Sequence, residues 1–285
     1  MSKVYLITGT SSGFGRALAE AALEGGNQVV LTARRPESVA ELEQAGGDNA
    51  LAVKLDVTNA EDRQAAIDAT VERFGRLDVL VNNAGRGSLG AAEAFSSEQL
   101  RAQMEVNFFG AVEMTRAALP VMREQKGGHI VNISSIGGLA AVGGFSLYCA
   151  SKFALEGFSE SLRDEVAPLG IRVTVVEPGA FRTEFAGDAN MQPEENIDAY
   201  EGVIEPIRQY LYGSSGQQPG DPHRAALAMI QAVESDTPPL RLMLGADAYG
   251  LWEKKRSEMD EELERWRDVG ENTAFPDAEV GAIGG

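Results

Sequence analysis

Residues 3–26 read KVYLITGTSSGFGRALAEAALEGG. The opening run KVYLIT is apolar and strand-like. It passes directly into Thr8-Gly9-Thr10-Ser11-Ser12-Gly13-Phe14-Gly15, and the residues that follow read as a helix. A strand, a glycine-rich turn and a helix in that order form a nucleotide cradle. The glycines allow a tight turn and a close approach of backbone to pyrophosphate, and the helix N-terminus offers N–H groups and a favourable dipole. The spacing is Gly-x-x-x-Gly-x-Gly rather than the commoner Gly-x-Gly-x-x-Gly. A glycine loop alone is a weak signal; its place between the first strand and a helix makes nucleotide binding the expectation.

The same alternation continues outward. Further apolar runs are QVVLTA, ALAVKLDV, LDVLVNN, HIVNIS, IRVTVVEP and LRLML. Amphipathic segments lie around Arg16 to Gly25, Glu37 to Ala45, Ala60 to Phe74, Glu98 to Glu124 and Tyr148 to Ala167. Continuously apolar strands separated by helices imply a parallel sheet covered on both faces. The expected fold is α/β: a Rossmann-type doubly wound parallel sheet of about seven strands, as one domain over residues 1–285. Within it, Phe185 to Pro222 carries Pro193, Pro206 and Pro219 before its end, with short Gly/Ser clusters and scattered Met and Tyr. It reads as an insertion with short helices, of the sort that becomes a substrate lid. Residues 246–285 read as a C-terminal helical extension.

Of the 285 residues, 44% are hydrophobic, and the net charge is −18. That charge argues against nucleic acid and anionic membrane surfaces as partners, so a phosphate-bearing ligand must be held by local features. The single cysteine, Cys149, rules out an internal disulfide and suits a reducing compartment. No run approaches the roughly 18 apolar residues of a membrane span, and the strand that begins near the N-terminus leaves no room for a signal peptide. The expectation is a cytoplasmic protein with no membrane partner and no metal.

The chemistry gathers at SIGGLAAVGGFSLYCASK, residues 135–152. Tyr148 and Lys152 stand four apart on a helix, hence on one side. A phenol with a pKa near 10 is a poor acid/base at neutral pH. A neighbouring ammonium favours the phenolate by roughly 1 to 3 units, toward the working range of general acid/base catalysis. Ser135, at the end of a strand, can point its hydroxyl into the same space. Tyr-x-x-x-Lys alone is weak, since any solvated helix can carry it. Other strand ends add to it. After QVVLTA, Ala33 stands where an NAD site would hold a carboxylate, and Arg34-Arg35 follow. A guanidinium there suits a 2′-phosphate and favours NADP(H) over NAD(H). Asp56, followed by Val57, is a candidate acceptor for the adenine amino group. Asn82-Asn83-Ala84-Gly85 closes the fourth strand: the asparagines tie neighbouring strands and loops, and the small residues leave room for a ribose. Asn107 lies amid apolar residues and needs a partner. Pro178-Gly179-Ala180-Phe181-Arg182-Thr183 can close over a nicotinamide, with Thr183 on its carboxamide.

Together these motifs resemble the short-chain dehydrogenase/reductase family in its classical form, over Lys3 to about Thr183. The later part is similar to its 17β-hydroxysteroid-dehydrogenase-like branch. The resemblance implies a catalytic set of Asn107, Ser135, Tyr148 and Lys152. In it Tyr148 is the acid/base, Ser135 (not Ser134) binds the substrate oxygen, Lys152 lowers the Tyr pKa and holds the nicotinamide ribose, and Asn107 supports a proton-relay water. It implies a cofactor site of Gly9, Ser12, Gly13, Phe14, Gly15, Arg34, Asp56, Val57, Asn83, Ala84, Gly85, Tyr148, Lys152, Pro178, Gly179, Phe181 and Thr183. Some NADP-preferring members carry a second basic residue where this chain has Ser12, so that determinant is absent. The implied activity is an NADP(H)-dependent interconversion of a largely apolar carbonyl compound and its alcohol, by a homo-oligomer (dimer or tetramer). Two other functions use the same scaffold: a nucleotide-sensing binding protein, against which the acid/base set argues, and an isomerase or dehydratase using the cofactor transiently.

Overall fold

The computed structural model describes residues 2–186, 190–213, 215–275 and 281. Seven strands form one parallel sheet: β1 (Val4–Ile7), β2 (Gln28–Ala33), β3 (Ala50–Lys54), β4 (Val79–Asn82), β5 (Gly128–Ile133), β6 (Ile171–Pro178) and β7 (Arg241–Leu244). Their order is β3-β2-β1-β4-β5-β6-β7. The chain winds outward in one direction from β1 to β3 and in the other from β4 to β7. The crevice at the carboxyl ends of β1 and β4, where the winding reverses, is where such sheets take ligands.

The strands are apolar at consecutive positions because both faces are covered. Tyr5 and Ile7 of β1 enter one core with Val79 and Val81 of β4 and Val131 and Ile133 of β5. Leu6, Leu80 and Ile130, one residue out of step, enter the other. The first core is closed by α1 (Gly13–Glu24), α2 (Ala40–Gly46) and α8 (Pro222–Glu234). The second is closed by α3 (Ala60–Phe74), α5 (Gly110–Gln125) and α6 (Ser146–Val166).

Three features depart from the pattern read in the sequence. The segment around Glu37 to Ala45 divides into a short 3₁₀ turn, Pro36–Val39, and α2. The long helix around Glu98 to Glu124 is broken: α4 (Ser97–Met104) runs through a π-helical turn, Glu105–Phe109, into α5. Helix α8 was not anticipated. Asp221 caps it by accepting from the His223 N–H at 2.9 Å, and Ala225, Ala226, Met229 and Val233 pack against Leu18, Ala19 and Ala22 of α1. Within the 185–222 segment, of which residues 187–189 and 214 lie outside the described part, the expected helical structure includes α7 (Glu201–Gly213). The C-terminal extension forms α9 (Ala246–Glu271), in which Ala248 is the buried residue. Most of the chain after residue 275 lies outside the described residues. Among the described residues no helix is long and apolar enough to cross a membrane.

Candidate active site

All six loops that follow β1 to β6 border one cleft of about 770 Å³. Its first wall is the glycine-rich turn. Gly9 and Gly13 have φ of +73° and +57°, values that L side chains rarely adopt, and a Cβ on Gly15 would stand 2.2 Å from the Gly9 carbonyl oxygen. Ser12, the residue before α1, makes no side-chain cap, so the first N–H groups of that helix remain for a ligand. The turn is fixed from β4. The Asn83 amide donates to the carbonyls of Thr8 and Gly9, both at 2.9 Å, and the N–H groups of Asn83 and Ala84 donate to the Thr8 hydroxyl. Asn82 in turn donates to Asn132 (2.8 Å) and Thr115 (3.0 Å), joining β4 to β5 and α5. The expected tying of strands by this pair is what the structure shows.

At the ends of β2 and β3, Ala33 is buried and Arg34 is exposed, and both line the cleft. No hydrogen bond or ion pair engages Arg34 among the described residues. Burial alone would raise the Asp56 carboxyl, but bonds from the Thr58 hydroxyl and N–H, with Arg34 nearby, hold it below the usual carboxylate range. Val57 lies beside it. Opposite, the loop after β6 brings Pro178, Gly179, Phe181 and Thr183 to the cleft. The Phe181 ring meets that of Phe14 edge-on at 5.1 Å, and a Cβ on Gly13 would stand 3.5 Å from Thr183. Asp247, at the start of α9, holds this loop by accepting from the Ala180 N–H at 2.6 Å.

Helix α6 presents Tyr148 and Lys152 on one side, as the four-residue spacing requires. The Lys152 ammonium lies 5.8 Å from the centre of the Tyr148 ring. It donates to the Ile133 carbonyl at 2.8 Å and is 5% exposed. Ser135 stands beside Tyr148 and favours its ionised form, and it accepts from the Gly137 N–H at 3.0 Å. Asn107 sits in the π-helical turn. Its amide donates to the Arg86 carbonyl (2.9 Å) and the Ser151 hydroxyl (3.0 Å), and its oxygen accepts from the Arg86 N–H (2.9 Å). Ser151 donates to the Tyr148 carbonyl, so Asn107 is coupled to the helix that carries Tyr148.

One electrostatic expectation is corrected. Tyr148 is not brought below its ordinary value: burial pushes it up to about 12, against the influence of Ser135. Lys152 is itself pulled down to about 8 by burial, against the influence of Glu156. Desolvation disfavours both charged forms, and the ammonium is directed at a backbone carbonyl. Several neighbours were not foreseen. Phe185 packs its ring 5.2 Å from that of Tyr148, and Phe145 stands at 6.4 Å. Ser151 was visible only as a small polar residue three positions after Tyr148. Arg86, directly after the Asn-Asn-Ala-Gly motif, also lines the cleft.

The family model of short chain dehydrogenases matches residues 3–194. An oxidoreductase, BOA17, of Botryotinia fuckeliana is 38% identical over 270 residues, covering 94% of this chain and 98% of that protein. A solved short-chain dehydrogenase from Streptomyces avermitilis superposes with a TM-score of 0.90 at 47% identity, covering 96% of this chain and 99% of the other. Two more distant solved proteins contain nicotinamide nucleotides. A 3-ketoacyl-(acyl-carrier-protein) reductase from Brucella melitensis is complexed with NADH (28% identity, TM-score 0.73, 86% and 98% covered). An alcohol dehydrogenase from Thermococcus sibiricus is complexed with 5-hydroxy-NADP (27%, 0.69, 86% and 96%).

Proposed function

The chain belongs to the short-chain dehydrogenases, an oxidoreductase family, and from that premise we propose that it interconverts a ketone or aldehyde with its alcohol, using NADP(H). The observation that carries this reading is the joining of Ser135, Tyr148, Lys152 and Asn107 at a cleft whose other end is a glycine cradle. The cradle fits a dinucleotide: glycines in the left-handed region, uncapped helix N–H groups, and the small Ala84 and Gly85 leave backbone open to a phosphate and a ribose. When bound, the nicotinamide supplies or accepts the hydride.

The chain's own residues handle the proton. Tyr148, with its pKa at about 12, is a neutral donor at physiological pH and gives its proton to the carbonyl oxygen during reduction. Ser135 binds that oxygen. Lys152 remains charged below about pH 8 and stabilises the phenolate left behind. Asn107 positions the helix through Ser151. Phe145 and Phe185 flank the phenol and exclude water. At the rim, Arg34 makes no ion pair among the described residues, and no acid stands at position 33, which supports a 2′-phosphate ligand.

The described residues of the 185–222 segment are proposed to cover this cleft, which Phe185, Tyr210, Leu211 and Gln218 line. Hydrogen exchange with and without cofactor tests the cover: equal protection in both states makes it passive surface. The chain is proposed to work as a single domain in a cytoplasmic homo-oligomer. The decisive experiment offers purified protein NADPH or NADH with a panel of ketones and follows loss of the reduced cofactor. Tyr148→Phe is expected to lower turnover by about 10² to 10⁴-fold while still titrating NADPH fluorescence. A Phe variant that keeps more than about a tenth of the rate removes Tyr148 from the proton transfer. Binding without turnover in the wild type points to a sensor instead.

A further inference from the structure

Arg86 lines the cleft, and the roles above leave it unused. Its backbone is held on both sides: the N–H donates to Asn107, and the carbonyl accepts from Asn107 and from Gln103, each at 2.9 Å. The base of the side chain is therefore fixed to the catalytic set. The guanidinium is not satisfied. Its Nε is out of contact with solvent and has no hydrogen-bond partner. No carboxylate lies within ion-pair distance among the described residues. In a chain with 43 acidic and 25 basic residues, a half-buried arginine without an acid is an anomaly of placement, not of supply. A buried donor left unmade costs stability, and Arg is suited to planar, two-oxygen anions.

The cleft has a cofactor end and a cover end, and Arg86 is tied to the second. The next residue, Gly87, accepts from the Met191 N–H at 3.0 Å, and a Cβ on it would meet the Phe185 ring at 2.7 Å. That same ring packs against Tyr148. Arg34, by contrast, neighbours Asp56 at the other end.

We propose that Arg86 binds a carboxylate on the substrate, so that the preferred substrate is an oxo acid with an apolar body. On binding, the half-buried guanidinium turns toward the cleft so that Nε and its neighbouring N–H take the two carboxylate oxygens while the carbonyl meets Tyr148 and Ser135. Val142, Phe145, Phe185 and Leu251 line the space for the body. This rests on the oxidoreductase reading above and adds the substrate class to it.

The test uses the full chain with NADPH and a series of oxo acids of increasing chain length, each paired with its methyl ester. In the best pair, the acid is expected to exceed the ester in kcat/KM by about 10- to 150-fold, the range of one charge-assisted hydrogen bond. The difference should lie mainly in KM. In Arg86→Gln that ratio falls toward one, and Arg86→Lys retains part of it. Calorimetry of each acid and ester with the wild type in NADP⁺ reads the same preference without turnover. If no carbonyl compound of either kind consumes reduced cofactor, the oxidoreductase reading fails, and the calorimetric acid-to-ester ratio still decides the anion site. Esters equal to acids throughout the series overturn the proposal. So does an unchanged ratio in Arg86→Gln, or a loss of NADPH affinity in that variant, which would assign the guanidinium to the cofactor. Should Arg86→Gln not fold, the acid-to-ester ratio of the wild type decides between the two outcomes.

Discussion

Lys152 and Arg241 are both cations withdrawn from solvent near Glu156, and the fold treats them in opposite ways. Lys152 is the more buried, yet its hydrogen bond goes to a backbone carbonyl. Glu156, one helical turn further along α6, acts on it only at longer range, and burial wins, pulling the ammonium down to about 8. Arg241 is one-third exposed and meets three carboxylates, Glu156 and Glu160 of α6 and Glu177 of β6. Burial would lower it, but those partners push it above its ordinary value. Arg241 opens β7, so its bonds fasten the last strand to β6 and to the helix bearing Tyr148. A compensated charge holds structure; an uncompensated one remains available to act on a neighbour.

The same exchange at the two positions breaks this contrast most forcefully. Lys152→Met is expected to lower turnover by about 10² to 10⁴-fold, because the phenolate loses its counter-charge. Stability should move the other way. The folded pKa of about 8 lies below the unfolded value of 10.5, so the penalty for the buried ammonium is full below pH 8 and is relieved as pH rises toward 10.5. Near pH 7 the Met variant should be more stable than the wild type, by on the order of 1 to 3 kcal/mol. Rates and denaturant midpoints at pH 7 check both halves; a variant that is inactive because it is unfolded would show Lys152 to be structural.

Arg241→Met is expected to cost about 3 to 5 kcal/mol at pH 8, since it leaves buried carboxylates without their cation. The loss should shrink at pH 5. Burial raises Glu156, and it raises Glu177 to about 7, so both take protons in the folded state as pH falls. Thermal unfolding at the two pH values reads this. A loss that does not depend on pH would mean that Arg241 acts by packing alone.

A third cation, Arg34, is exposed and makes no hydrogen bond or ion pair among the described residues, and it sharpens the contrast from outside the core. It should matter only when its ligand is present. NADPH is expected to be preferred over NADH by at least about tenfold in kcat/KM, the worth of one charge-assisted bond. Arg34→Ala should erase most of that preference by weakening NADPH, with unfolding unchanged, and Ala33→Asp should reverse it. Equal or better use of NADH by the wild type would refute the assignment of the β2 end.

These three cations were not equally legible. Lys152 and Arg34 declare themselves by local spacing, four residues from a tyrosine and one from a strand end, because helices and strand termini fix short-range geometry. The strands were legible for a related reason: burial on both faces writes a continuous apolar run. Arg241 was hidden. Its partners stand at 156, 160 and 177, brought together only by the pairing of β7 with β6. Helix α8 was missed although Asp221-Pro222, followed by apolar residues at 225, 226, 229 and 233, is a start signal with helical spacing. The Tyr148 pKa was misjudged because a sequence shows a neighbouring charge but not the burial that outweighs it.

The smallest effect is the most searching one, because it asks how much of the Arg241 cluster is charge. Glu177 is fully buried, and one of its oxygens has no hydrogen-bond partner. Burial, with Glu156 nearby, raises it to about 7 from an ordinary value of 4.5, even with Arg241 bonded to it at 2.6 Å. Because the folded pKa is the higher, its contribution is full below pH 4.5 and is lost as pH rises through 7. Gln at 177 imitates the protonated acid and still offers Arg241 an oxygen. Glu177→Gln should therefore match the wild type at pH 5 and exceed it at pH 8. The shift alone corresponds to about 3 kcal/mol, but a neutral acceptor binds a guanidinium less strongly than a carboxylate does. The net gain at pH 8 is expected to be roughly 1 kcal/mol. Denaturant unfolding of both proteins at pH 5 and pH 8 measures it. If the variant is instead the less stable at pH 8, the charge on Glu177 outweighs its desolvation, and the cluster is held by ion pairing from both sides of Arg241.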